Sequence, residues 1–241
     1  MPVRPVSKRP DDFAVHWALR SGKKEFMKSI LVIGLGRFGM HIVEKLNELH
    51  HQILAVDRNE KRVDAVLPMV TDAQIGDAAS KTFLRSLDVH HFDVCFVAIG
   101  DDFESSLIVT SYLKELGARR VIARASREVQ RQFLLRNGAD DVIYPEMQMA
   151  VWAAVRHTTD HVLDFIALDD EYAIYDLTVP EDWQGKTVGV LDIRKRYNLN
   201  LLAVRERGKA SIAVTSETRL QKDQTILVLG KWKDIRKCFK I

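Results

Sequence analysis

From Ser29 onward, short continuous apolar runs alternate with stretches whose apolar residues recur every three or four positions. Continuous runs suit parallel strands buried on both faces, whereas a half-solvated strand alternates apolar and polar residues. They predict strands at Ile30–Ile33, Ile53–Val56, roughly Val70–Ile75, Val94–Ile99, Arg119–Ala123 and Asp141–Ile143. Helical spacing lies between them, in Phe38/Ile42/Val43/Leu46/Leu49, Ile108/Tyr112/Leu116 and Val129/Phe133/Leu134. Successive β–α units with right-handed crossovers make the fold α/β, a doubly wound parallel sheet of Rossmann type.

Pro145 opens a further helical stretch with Met147, Ala150 or Val151, Ala154 and Thr158 on one stripe, and proline is favourable at a first helical position. Beyond it the pattern changes. Ala173, Tyr175, Leu177 and Val179 alternate with more polar neighbours, as in a half-solvated antiparallel strand. Further strands are expected at Leu201–Val204, Ile212–Val214 and Thr225–Leu229, with helices near Val188–Arg196 and Lys231–Phe239. The expected organisation is a nucleotide-binding domain over 29–145, a connecting helix over 146–164 and a small α+β domain over 165–241. Residues 1–28 hold three of the six prolines and a short apolar stretch at Phe13–Leu19, and read as an appendage, either a tail without fixed structure or a docking arm. Met27 stands where the folded domain would begin.

Composition narrows the partners. Hydrophobic residues make up 46% and charged residues 29%, an ordinary globular balance. A net charge of +3, evenly spread, is too small for a nucleic-acid footprint, and no nucleic acid is expected. The two cysteines, Cys95 and Cys238, have no C-x-x-C spacing and fit a reducing, cytoplasmic compartment. No apolar run reaches the roughly 18–20 residues that cross a bilayer, so any membrane role is expected to pass through a partner.

One motif carries chemistry. Gly34-Leu35-Gly36-Arg37-Phe38-Gly39 is a G-x-G-x-x-G that follows a predicted strand and opens a predicted helix, the setting that gives the pattern meaning. Gly34 is expected to permit the tight turn, Gly36 to let phosphate approach the helix N-terminus, and Gly39 to allow close packing. Asp57 ends the second strand, eighteen residues after Gly39, where a carboxylate can bond ribose hydroxyls. That carboxylate disfavours a 2′-phosphate, although Arg58 softens the effect. Arg37 adds a charged donor fork where the phosphates must lie, so ATP should be distinguished from ADP. Other patterns dissolve: Gly185-Lys186-Thr187 lacks the first glycine of a P-loop, His50-His51 and His90-His91 lack metal-ligand spacing, and no nucleophile stands beside a base.

These residues resemble the RCK (regulator of K⁺ conductance) family, in particular its stand-alone gating subunits of bacterial potassium uptake systems of the Ktr/Trk type. The resemblance covers 29–241 and rests on the run Ile33 to Gly39, Leu54 to Asp57, Gly76-Asp77-Ala78, Val97 to Gly100, Gly138-Ala139-Asp140, Pro145-Glu146, Leu191 to Arg194 and Asn200 to Val204. It implies phosphate contacts at Gly36, Arg37 and Phe38, ribose contact at Asp57, adenine-side contacts at Asp77 and Ala78, and loop contacts at Ile99, Gly100 and Glu104. It further implies binding of ATP or ADP, NAD(H) in some members, and a Mg²⁺ or Ca²⁺ ion met by Glu146 near the phosphates of a neighbouring protomer. Cyclic di-AMP binding in the C-terminal part would involve Ile193, Arg194 and Asn200. Val188-Gly189 stands where bulkier apolar residues are usual. The implied partner is a membrane-embedded potassium-transporting subunit, with dimers of this chain assembled into an octameric ring on the inner face of the membrane.

Two functions are in play. A nucleotide-sensing regulatory subunit needs no catalytic residues, because differential affinity of two conformations suffices to move a gate. An NAD-dependent oxidoreductase would need an acid or base from the second domain, and the last eighty residues contain no histidine.

Overall fold

The computed structural model describes residues 27–169 and 171–239; the expected appendage therefore lies outside the described residues, save Met27 and Lys28. The chain divides into two compact units at Glu146/Met147.

The first unit is built on a six-stranded parallel sheet: β1 (Ser29–Ile33), β2 (Gln52–Asp57), β3 (Asp72–Ile75), β4 (Val94–Val97), β5 (Val121–Arg124) and β6 (Asp141–Ile143). Their spatial order is β3-β2-β1-β4-β5-β6, so the chain reverses direction across the sheet between β1 and β4. That crevice, outside the carboxyl ends of the strands, is where open α/β sheets bind ligands. The crossover helices are α1 (Arg37–Glu48), α2 (Glu60–Val66), α3 (Lys81–Ser86), α4 (Phe103–Glu115) and α5 (Glu128–Arg136).

Both faces of this sheet are buried, which is why its strands read as unbroken apolar runs. On β1, Leu31 and Ile33 join the cluster containing Phe92, Val109 and Leu113, whereas Ile30 and Val32 join Val43, Val63 and Val66 on the other face. Two crossover helices escape the periodicity reading because they are short. They are announced by their caps instead: Asn59 accepts from the Arg62 N–H and Ser80 from the Phe83 N–H. The third strand starts at Asp72 rather than Val70, because Leu67–Met69 forms a 3-10 turn that delays it. The Gly138-Ala139-Asp140 motif turns out to be a joint of the scaffold. Gly138 sits at φ +104, and Asp140 accepts the Val121 N–H of β5 at 2.6 Å and the Lys114 ammonium at 3.0 Å.

The second unit carries a five-stranded antiparallel sheet in the order β10-β9-β11-β8-β7, with β7 (Val162–Ala167), β8 (Tyr172–Thr178), β9 (Asn200–Glu206), β10 (Lys209–Ser211) and β11 (Thr225–Lys231). Its helices are the rest of α6 (Pro145–Thr158), α7 (Val188–Leu191), α8 (Ile193–Tyr197) and α9 (Trp232–Phe239). The alternation along β8 places Ala173, Tyr175 and Leu177 in a core with Trp183, Leu199, Val228 and Ile235.

Three local expectations fail here for physical reasons. Helix α6 ends at Thr158, and β7 follows where a continuing helix was expected. The expected helix Val188–Arg196 breaks at Asp192, which adopts φ 46 and separates α7 from α8. Ile212–Val214 is no strand, since Arg207 and Gly208 at φ 49 and 79 make a tight turn that starts pairing at Lys209 and uses up the edge by Ser211. Ile212 is left 85% exposed.

Two outcomes follow from this packing. Leu31→Ala should lower unfolding free energy by about 2–5 kcal/mol in urea titration, whereas Ile212→Ala should change it by under about 0.5 kcal/mol. Burial pushes the Asp140 carboxyl up, but the Val121 N–H, Lys114 and the charge of Arg120 prevail and hold it below its ordinary value. A depressed folded-state pKa gives stability that is complete above the unfolded pKa and lost as pH falls through the folded one. Asp140→Asn should flatten that part of the acid limb when thermal unfolding is followed between about pH 5 and pH 2.

Candidate nucleotide site

The glycine loop between β1 and α1 is shaped by one left-handed backbone turn and one backbone collision that glycine accommodates. Gly34 sits at φ +93, and a Cβ there would lie 3.2 Å from Ala98 and Ile99 backbone and side-chain atoms. A Cβ at Gly39 would overlap the Gly34 carbonyl oxygen, so this glycine lets α1 close onto the loop itself. Gly36 differs, because a Cβ there would meet nothing within 4 Å. Its missing side chain leaves open space at the start of α1. No side chain caps that helix and no acidic residue occupies its first turn, so the first N–H groups face outward as an anion cradle.

Asp57 fixes the other wall. It is 7% exposed, its Oδ2 accepts the Leu35 N–H at 2.7 Å and its Oδ1 accepts the Asn59 N–H at 2.8 Å. The Arg62 guanidinium stands 3.5 Å away. Each oxygen keeps a second lone pair, so the carboxylate can tie the loop down and still accept from ribose hydroxyls. At β3, Gly76 donates to the Asp57 carbonyl oxygen, and a Cβ on Gly76 would collide with the Phe83 ring. Asp77 then accepts the Ala79 N–H at 3.0 Å, turning the chain around the cavity.

The resulting cavity, about 610 Å³, is of a size that suits a nucleotide. Gly34, Gly36, Arg37, Phe38, Asp57, Arg58, Asp77, Ala78, Ile99, Gly100 and Glu146 all line it. Gly39 lies beneath the loop. Glu104 does not line it and is exposed on the first turn of α4. In its place Asp102 and Ser105 reach the cavity, where Asp102 caps α4 by accepting the Ser105 hydroxyl at 2.6 Å and the Ser105 N–H at 3.0 Å. Those two bonds, with the charge of Arg58, hold the Asp102 carboxyl below its ordinary value.

Arg124 is the residue that sequence reading missed. It ends β5, its side chain is 16% exposed, its guanidinium carbon lies 5.6 Å from the Phe38 ring centroid, and it pairs with Glu146. Gly100 makes room for it, since a Cβ there would strike Nη1. The available signal was a charge closing an otherwise apolar buried strand at its carboxyl end. Glu146, expected to meet a divalent cation near the phosphates of a neighbouring protomer, pairs with this arginine within the chain. Its burial raises its pKa, but its own N–H, Arg124 and the charge of Arg37 outweigh that and hold the carboxyl below the ordinary range. Among the described residues no three metal-ligating side chains come together.

In the second unit Ile193, expected at a seam between copies, is a core side chain of the single chain, 3% exposed. Arg194 and Asn200 are exposed. Gly189 packs closely on Ser216, to whose carbonyl it donates at 2.9 Å.

Fold and cavity together define a Rossmann-type nucleotide-binding domain followed by a small α+β domain. The TrkA-N domain family matches residues 30–145 and the TrkA-C domain family residues 173–241. The chain is 33% identical over 210 residues to Ktr system potassium uptake protein A of Bacillus subtilis, covering 87% of this chain and 95% of that protein. It is 30% identical to the Vibrio alginolyticus protein of the same name, covering 88% and 94%. The chain thus belongs to the RCK family, as a member of the Ktr/TrkA potassium uptake proteins. The fold is likewise similar to the GsuK RCK domain, with a TM-score of 0.64 at 20% identity. A GsuK channel bound to NAD gives 0.65 at the same identity. The matches cover 94% and 93% of this chain, but only 51% and 42% of those chains.

The geometry makes Asp57 a scaffold residue. Asp57→Ala should orphan the buried Leu35 N–H and lower stability by about 1–3 kcal/mol without any nucleotide present, measured by urea unfolding. Unchanged stability would show that the loop does not depend on this carboxylate.

Proposed function

We propose that this protein is the cytoplasmic, nucleotide-sensing regulatory subunit of a membrane potassium transporter. The observation that carries this reading is the match along 95% of Ktr system potassium uptake protein A, which runs through both units. The cavity supplies the input. An adenine nucleotide would lay its phosphates on the Gly36 cradle beside Arg37 and its ribose against Asp57, with the base toward Asp77 and Ala78. ATP, ADP and NAD(H) share that adenosine diphosphate portion, and Arg37 would favour an added terminal phosphate.

No helix among the described residues is long and apolar enough to cross a membrane. In this reading the pore belongs to a partner. The protein itself acts without turnover: a ligand preferring one conformation of an oligomeric ring, two copies pairing and pairs closing into an octamer, shifts the population that the membrane subunit meets. Cyclic di-AMP would act through Arg194 and Asn200 at a seam between copies. A Mg²⁺ or Ca²⁺ ion at Glu146 would draw its remaining ligands from phosphate oxygens and a second protomer.

A thermal-unfolding panel with ATP, ADP, NAD, NADH and cyclic di-AMP tests the reading. A nucleotide at about 100 times its Kd adds roughly 2.7 kcal/mol. ATP and ADP should raise the transition, and Arg37→Ala should weaken ATP more than ADP. No response to any adenine nucleotide would remove the sensing role.

A further inference from the structure

Glu146 reaches into the cavity from the first turn of α6, the helix whose residues from Met147 onward belong to the second unit. It meets there the one arginine that rises from the floor of the sheet. Arg124 is held on three sides: by the Phe38 face, by the space that Gly100 leaves, and by the Glu146 carboxylate. Its Nε is buried without a hydrogen-bond partner, which leaves the Nη end as the edge an anion can reach. Phe38 and Arg37 belong to the phosphate-binding turn, and the charge of Arg37 also bears on Glu146. An anion on the Gly36 cradle would therefore arrive beside Arg37, which lines the same cavity, and beside Arg124, already paired with a carboxylate.

We infer that Arg124 is a specificity-determining residue exchanged between Glu146 and the nucleotide phosphates, so that Glu146 acts as a built-in competitor of the ligand. This rests on the nucleotide-binding reading above and deepens it. One edge of a planar guanidinium takes one bidentate carboxylate or phosphate at a time, and the Nη edge that Glu146 uses is the one open to the phosphates. When phosphates take the fork, Glu146 loses its partner at the head of α6, and that turn changes its charge balance. A ligand without phosphate cannot drive the exchange. The device makes ligand charge, rather than the adenosine group, the quantity passed to α6.

The test measures binding of adenosine, ADP and ATP to the full chain by calorimetry in EDTA, which removes any contribution of divalent cations. Glu146→Gln, a nearly isosteric change at an exposed position, should bind ADP and ATP about three- to fivefold more tightly, the size of an exposed ion pair, and adenosine unchanged. Arg124→Gln should bind both nucleotides about tenfold or more weakly. In the double variant the gain from Glu146→Gln should shrink below about twofold, because its route is gone. Should Arg124→Gln unfold, Arg124→Lys keeps the charge without the fork and should give an intermediate loss. Unchanged or weaker binding by Glu146→Gln, or a gain that persists without Arg124, overturns the exchange and leaves nucleotide binding intact. Failure of the unmodified protein to bind any nucleotide would overturn both.

Discussion

A single buried carboxylate holds the first unit's functional end together. Asp57 is taken out of water at the tip of β2, where an ionised group is tolerated only when hydrogen-bonded. Its oxygens satisfy the N–H of Leu35, in the loop after β1, and of Asn59, at the entry to α2. The loop at Leu35, twenty-two residues away in sequence, and the adjacent turn at Asn59 are tied to one side chain. The glycine loop can then stay open at Gly36 without collapsing, because its far side is anchored by Asp57 and its near side by the contact of Gly39 with Gly34.

Charge is distributed around this anchored loop in a way that suits sensing rather than tight storage. Arg37, Arg58 and Arg124 line the cavity, but Asp77, Asp102 and Glu146 line it too. A wholly basic pocket would bind any polyphosphate strongly and in one state. Here, on the proposed reading, a phosphate reaching Arg124 would have to displace its pair with Glu146, so part of the ligand's interaction energy would go into the protein's own charges. The second unit contributes a separate core around Leu199, Val228 and Ile235 and needs no catalytic group to carry a regulatory role.

The parallel sheet and the glycine loop were legible in the sequence because each rests on local pattern: continuous apolar runs for strands with two buried faces, and a fixed spacing of glycines before Asp57. What escaped depends on contacts far apart in the chain. Arg124 matters because β5 lies beside β4 and brings it to Phe38 and Glu146, a neighbourhood no window of sequence contains. The burial of Ile193 beside the exposed Arg194 goes with the αL turn at Asp192, which breaks the helical periodicity read from the sequence. The helix start at Glu60 was written in its Asn59 cap rather than in periodicity, and the short edge strand Lys209–Ser211 was set by the turn before it.

The most direct measurement is potassium flux through a reconstituted membrane subunit in vesicles, with and without this protein and with ATP, ADP or no nucleotide. The account predicts that nucleotide identity changes flux only when this protein is present, and that Asp57→Ala abolishes the nucleotide dependence. Flux that responds to nucleotide without this protein, or that ignores nucleotide with it, would contradict the account.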